Sequence, residues 1–262
     1  MGSVVEAAVE AFRAAQRGSR EARARLEELR GPLVALADEG DVEAQNALGG
    51  IALEHDGDAE TALRYWTLAA QRRHPAAQRG LGHLYAAGKG VERDVEKAAE
   101  LFRPAALAGD HFAMFNLALL HLREERLAGC MSRDELVALL EGAADQGLAE
   151  AATELGNLLA KEDRDEEALR WYLRAAHGGY PPAMFVAACW YRDGYGTEPD
   201  PVQAVRWFLA MLGAGSGDGV HEAIRLAGSM TDEEIRRAAA LAGDPNSGDA
   251  LISTVRGRTS GD

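Results

Sequence analysis

Few residues in this chain have types and spacings that suit chemistry, and each such group lacks something its chemistry requires. Seven histidines are scattered along the sequence; His111 and His121 stand ten residues apart with no carboxylate at ligand spacing, so no metal is expected. Cys130 and Cys189 match no metal-ligand spacing and are too few for a disulfide framework. A small cysteine on a packed helix, as Cys189 would be, is an inert thiol rather than a nucleophile. The run G-A-G-S-G-D-G over 213–219 lacks the strand–helix setting and the Lys-Ser/Thr pair of a phosphate-binding loop, and reads as a flexible connection. The acidic stretch from Glu162 to Glu167 reads as a solvated turn and helix start, with Glu166 and Arg170 spaced to pair on one helix face. No catalytic residue and no cofactor are expected.

Composition narrows the partners. The 262 residues carry a formal charge of -14, which repels phosphate backbones and argues against general nucleic-acid binding. Apolar residues make up 47% but aromatics only 6%, so packing must come largely from Ala and Leu, which suits close-packed helices better than strands. The first ten residues have no basic region ahead of an apolar run, and Glu6 stands where a myristoylation start needs Ser or Thr. No window approaches a membrane span. With two cysteines at most, a reducing, cytoplasmic setting is expected, with no membrane contact. Arg outnumbers Lys 25 to 3, the codon bias of a GC-rich bacterial genome.

Beyond these groups the sequence is organised by repetition. Ala44, Ala77, Ala113, Ala151 and Ala183 each open a unit, followed at offset four by Leu48, Leu81, Leu117, Leu155 and Ala187. Offset seven holds Ile51, Leu84, Leu120, Leu158 and Trp190, completing one helical stripe. The position at offset five is always small: Gly49, Gly82, Ala118, Gly156, Ala188. Glycine inside a helix costs about 1 kcal/mol relative to alanine, so its recurrence predicts a neighbour too close for a side chain. A second helix repeats from Ala62, Ala98, Leu136, Ala168 and Ala204, with Trp66, Phe102, Leu140, Tyr172 and Phe208 four residues on. The spacing between units drifts through 33, 36, 38 and 32 residues because the loop inside each unit varies.

The ends differ from the repeats. Residues 1–40 are expected to form capping helices and a degenerate repeat, with Ser19 as a helix N-cap and Gly31-Pro32 as a break or kink. Five repeats fill 41–223. In the 224–243 capping region, Thr231 and Glu234 have capping-box spacing ahead of a last helix. Residues 244–262 are polar and Gly/Ser-rich, and a disordered tail is expected there.

The unit resembles the Sel1-like repeat, a longer-looped relative of the tetratricopeptide repeat (TPR). The residues carrying the resemblance in the second copy are Ala77, Leu81-Gly82, Leu84-Tyr85, Gly88-Lys89-Gly90-Val91, Asp94, Lys97-Ala98, Phe102 and Ala105-Ala106. The fifth copy has Trp190-Tyr191, Gly194-Tyr195-Gly196-Thr197, Asp200, Ala204 and Trp207-Phe208. Copies one and four lack the G-x-G loop, and copy three has an irregular loop over 123–133. The resemblance implies an all-α fold, an α/α superhelical solenoid of about five Sel1/TPR-like helix-turn-helix repeats with helical caps. It also implies an adaptor that holds a protein or peptide partner against the first helices, at offsets −1, 2, 6 and 9 from each opening alanine.

At those offsets repeat three carries a second apolar stripe, Phe112, Phe115, Leu119 and Leu122. Together with Phe185 it would form a hydrophobic trough rimmed by Asn46, Arg79, His83, Asn157 and Arg192. The competing reading is that neighbouring helices or the 123–133 loop cover these rings. A small-ligand-binding or enzyme-associated subunit is the alternative function, and self-association through a poorly capped end is a third.

Overall fold

The computed structural model describes residues 3–258. Every regular element among them is helical. The order begins α1 (Val4–Gln16), α2 (Arg20–Asp38), α3 (Val42–Ile51), α4 (Ala59–Gln71) and α5 (Pro75–Ala87). It continues with α6 (Val95–Leu107), α7 (His111–Arg123), α8 (Arg133–Asp145), α9 (Ala149–Ala160) and α10 (Asp165–His177). Last come α11 (Pro181–Asp193), α12 (Pro201–Gly213), α13 (Val220–Ala227), α14 (Asp232–Leu241) and α15 (Asn246–Arg258). The chain divides into two compact units, one ending at Leu139 and the other beginning at Leu140.

In the first unit each helix packs on its successor: α1 on α2, α2 on α3, and so on to α6 on α7. In the second, α9 through α13 pack in the same serial way, and α14 and α15 close the series against α12 and α13. This nearest-neighbour packing is that of an all-α repeat solenoid. Its core is the alanine pattern of the sequence. Ala44, Ala77, Ala113, Ala151 and Ala183 are fully buried, as are Ala62, Ala98, Ala168 and Ala204.

The recurring helix glycines have a specific cause. At Gly82 an added methyl would stand 2.7 Å from the Phe102 ring, and at Gly156 2.6 Å from the Tyr172 ring. At Gly49 the Trp66 indole fills the same place. In these three pairs an aromatic from the second helix fills the space beside the glycine of the first, so the approach is ring on glycine.

The G-x-G loops lock one pair to the one before. Gly90 (φ +71°) sits on the start of α4, where a Cβ would be 3.0 Å from the Ala59 methyl. Gly196 (φ +66°) sits on the start of α10, against the Asp165 carbonyl. Copy one, which lacks this loop, ends α3 in a π-helical turn over Ala52–Asp56, held by a two-pronged ion pair from Arg30 to Asp56 (2.8 and 2.9 Å).

Two expectations need correction. Gly31-Pro32 does not break the second helix, which runs unbroken from Arg20 to Asp38 because Leu26, Leu29 and Leu33 are buried on one face through the proline. Nor is 246–258 a disordered tail. Leu251 and Val255, one helical turn apart, are buried, and a Cβ added at Gly248 would stand 3.1 Å from the Ala239 methyl, so the glycine lets α15 pack close on α14. Arg256 then fastens α15 to Asp232 and to the Met230 carbonyl. Docking of an apolar pair outweighs the Gly/Ser composition. Residues 259–262 of that expected tail lie outside the described residues.

Candidate partner-binding surface

In the first unit, α1, α3 and α5 border a cavity of about 690 Å³. The offsets that mark the first-helix binding face in the sequence supply much of its wall: Asn46, Gly50 and Leu53 from the first repeat, Ala76, Arg79 and His83 from the second. The Asn46 carbonyl accepts the Trp66 indole N–H at 3.2 Å, which fixes the floor. Asp110 places Arg79: one carboxylate oxygen caps α7 at the Ala113 N–H (2.9 Å), and the other takes the Arg79 Nε–H (2.9 Å). The Arg79 guanidinium then lies over the Phe112 ring, 5.2 Å from its centre. Loss of solvent around the ring, then the charges of Lys89 and Arg79, hold the pKa of His83 below the ordinary imidazole value.

The apolar stripe of repeat three lies on α7. Its packing face, Ala113 and Leu117, is buried in the first unit's core. Phe112 is 44% exposed, and Phe115, Leu119 and Leu122 are half-buried. The irregular loop is anchored elsewhere. Leu127 and Met131 enter the core beside Val95 and Phe102, and His121 Nδ1 meets the Leu127 carbonyl at 3.2 Å. His111 stacks against Phe112, so the two histidines of the sequence pattern do different things.

In the second unit the same offsets are already satisfied from within. Asn157 accepts the Tyr172 hydroxyl proton at 2.8 Å and donates to Glu154 at 3.3 Å. Burial pushes the Tyr172 phenol up to about 12, so it stays a donor. Arg192 grips both oxygens of Asp193 (2.7 and 2.6 Å) and reaches Glu222 at 2.9 Å. Arg192 in turn holds the Asp193 carboxyl below its usual range, and Arg225 does the same for Glu222. Phe185 is partly exposed, edge-on to Phe208, and borders a smaller recess with Pro182 and Met211.

Among the cavity residues that the sequence pattern did not single out as site residues are Arg13 from α1, Lys89 from the G-K-G loop and Asn116 from α7. The only hint was Lys89, one of three lysines, standing between two glycines. Its counterpart Tyr195 in the fifth copy is exposed and packs on Trp190 (5.6 Å between ring centres). Both cysteines are free, and burial raises the pKa of Cys189. Among the described residues there is no group of three or more His, Cys, Asp or Glu placed to hold a metal, and no helix is long and apolar enough to cross a membrane.

Comparison with known proteins covers most of the chain. The Sel1 repeat family model matches residues 42–74, 75–110, 111–148, 149–180 and 181–216. The chain is 30% identical over 162 residues to DAP3-binding cell death enhancer 1 of Mus musculus, covering 61% of this chain and 32% of that protein. It spans about a third or less of the curated relatives it matches. A protective antigen of uropathogenic Escherichia coli with an SLR fold superposes with a TM-score of 0.72 at 24% identity, over 96% of this chain and 59% of that one. A Sel1 repeat protein from Oxalobacter formigenes gives 0.62 at 22% identity, over 81% and 98%. At these identities the structural likeness carries the fold alone.

Proposed function

The chain belongs to the Sel1 repeat family, and from that premise we propose that it is a non-catalytic, cytoplasmic adaptor that holds a protein or peptide partner on the first helices of its repeats. Sel1 repeat proteins generally mediate protein–protein interaction. The observation that carries the reading here is α7: its packing stripe is buried, while Phe112, Phe115, Leu119 and Leu122 form a second apolar stripe left partly open. The mouse relative is named for binding another protein, which supports the same reading. Two free thiols fit a reducing compartment.

The test is affinity capture from the native host with wild type and a Phe115→Asp, Leu119→Asp double variant, both first shown to have matching helical circular dichroism. A protein retained by the wild type and lost from the variant supports the adaptor. Identical retention by both baits removes α7 as the site. The cavity of about 690 Å³ keeps a second reading, a small-ligand-binding or enzyme-associated subunit, in view. Calorimetric titration with cell metabolites separates the two.

A further inference from the structure

Arg13 and Lys89 both line the first unit's cavity, and neither has an ion pair or hydrogen-bonded side-chain partner among the described residues. The chain is strongly acidic, and many of its arginines are bound to carboxylates, Arg30, Arg79, Arg93, Arg164, Arg174, Arg192 and Arg256 among them. The same wall carries two carboxamides, Asn46 and Asn116, whose side chains have no partner among the described residues. Its one acid, Glu54, is occupied by the Gln16 amide at 2.8 Å.

A recess with unpaired cations, free amide donors and partly apolar walls concentrates positive potential. It accepts a carboxylate without the desolvation penalty of leaving that group unpaired. Two features favour a peptide over a bare ion. The cavity's volume lies within the range of pockets that enclose a molecule of many atoms, and Val9, Phe12 and Leu53 provide apolar wall beside the cations. Arg79 joins this wall to the open stripe of α7 through its contact with Phe112.

We infer that the cavity bordered by α1, α3 and α5 receives acidic side chains of a partner peptide whose neighbouring apolar residues lie on Phe112 and Phe115. This rests on the adaptor reading and gives its partner a chemistry. Gly50 provides a means of blocking the cavity. It lines the wall with nothing within 4 Å of an added Cβ, so a side chain there enters the cavity without straining α3.

The experiment is selection of a displayed library of random dodecapeptides on the full chain, followed by fluorescence anisotropy with a synthetic copy of the most enriched peptide. The inference expects Asp or Glu beside apolar residues in the selected peptides, and weaker binding as salt is raised. Arg13→Glu with Lys89→Glu, and separately Gly50→Glu, should each weaken binding about tenfold or more. Circular dichroism must match for every variant. Selected peptides without acidic preference, or unchanged affinity in the charge-reversed and Gly50→Glu variants, overturn the inference. If such peptides are nevertheless lost from the Phe115→Asp, Leu119→Asp variant, the adaptor reading survives without it. If no peptide is enriched but citrate or inorganic phosphate binds the wild type and not the Gly50→Glu variant, the cavity is a small-anion site and the inference falls.

Discussion

The two units build their helices from one pattern and use the exposed positions in opposite ways. Trp66 and Phe102 cover helix glycines in the first unit as Tyr172 does in the second. Yet at the binding-face offsets the second unit ties Asn157 to Tyr172 and Glu154, and Arg192 to Asp193 and Glu222. The first unit leaves Arg13, Lys89, Asn46 and Asn116 facing a cavity without such partners among the described residues. The G-x-G loop shows the contrast in one residue: the same left-handed frame presents Lys89 to a cavity in one copy and Tyr195 to an aromatic neighbour in the other. Repetition therefore fixes the frame and leaves the residue it presents free to differ. A polar group with an internal partner works for the fold, and one without is available to a ligand.

The largest effects should come from what the units share. Gly196→Ala forces an L-residue into the left-handed region and a methyl onto the Asp165 carbonyl, a backbone atom that cannot move aside. It should cost about 3 kcal/mol. Gly90→Ala meets the Ala59 methyl and backbone at slightly longer range and should cost about 2 kcal/mol. Urea unfolding followed by circular dichroism measures both; equal or inverted costs would show that the loop contact is not the cause.

A smaller pair of effects separates the paired cation of the second unit from the unpaired one of the first. Arg192→Ala removes a cation that holds two carboxylates, and should lower stability by about 1 kcal/mol. Lys89→Ala removes a cation with no such partner, and stability should stay within about 0.5 kcal/mol of wild type. A substantial loss in Lys89→Ala would mean that Lys89 serves the fold, and the contrast between the units would collapse.

The smallest effect is a titration. His83 has its pKa lowered by burial, then by Lys89 and Arg79, against a raising influence from Glu54; Arg13 lines the same cavity. Because the folded pKa lies below the unfolded one, the neutral ring is favoured on folding. The stability His83 contributes is therefore present above about pH 6.5 and is lost as pH falls through that value and the lower folded one. Nuclear magnetic resonance of the His83 ring should show a midpoint below the ordinary value. Lys89→Gln should raise it, and a bound acidic peptide should raise it further. An unmoved midpoint in Lys89→Gln would remove the lysine from the cavity.

Much of the fold was legible before the structure. Alanine and leucine at offsets 0, 4 and 7, glycine at offset 5 and an aromatic on the second helix recur in register, and local periodicity is what a solenoid uses, since each unit contacts only its neighbours. The Thr231–Glu234 capping box is a short-range signal of the same kind. Gly31-Pro32 and 246–258 misled because composition argued for a break and for disorder, while buried leucines and a docked Leu251–Val255 pair decided otherwise.

The first-helix offsets came from the family resemblance, and Asn46, Arg79 and His83 at those offsets line one cavity. The sequence by itself thus determined the repeat and the buried stripe. Only the tertiary structure decided which polar residues at those offsets already had partners, and that α1 adds Arg13 to the wall. The reason is physical. Helix periodicity is set by residues a few positions apart, whereas Arg79 meets Asp110, and Arg192 meets Glu222, across about thirty residues of chain, a separation at which no local rule acts.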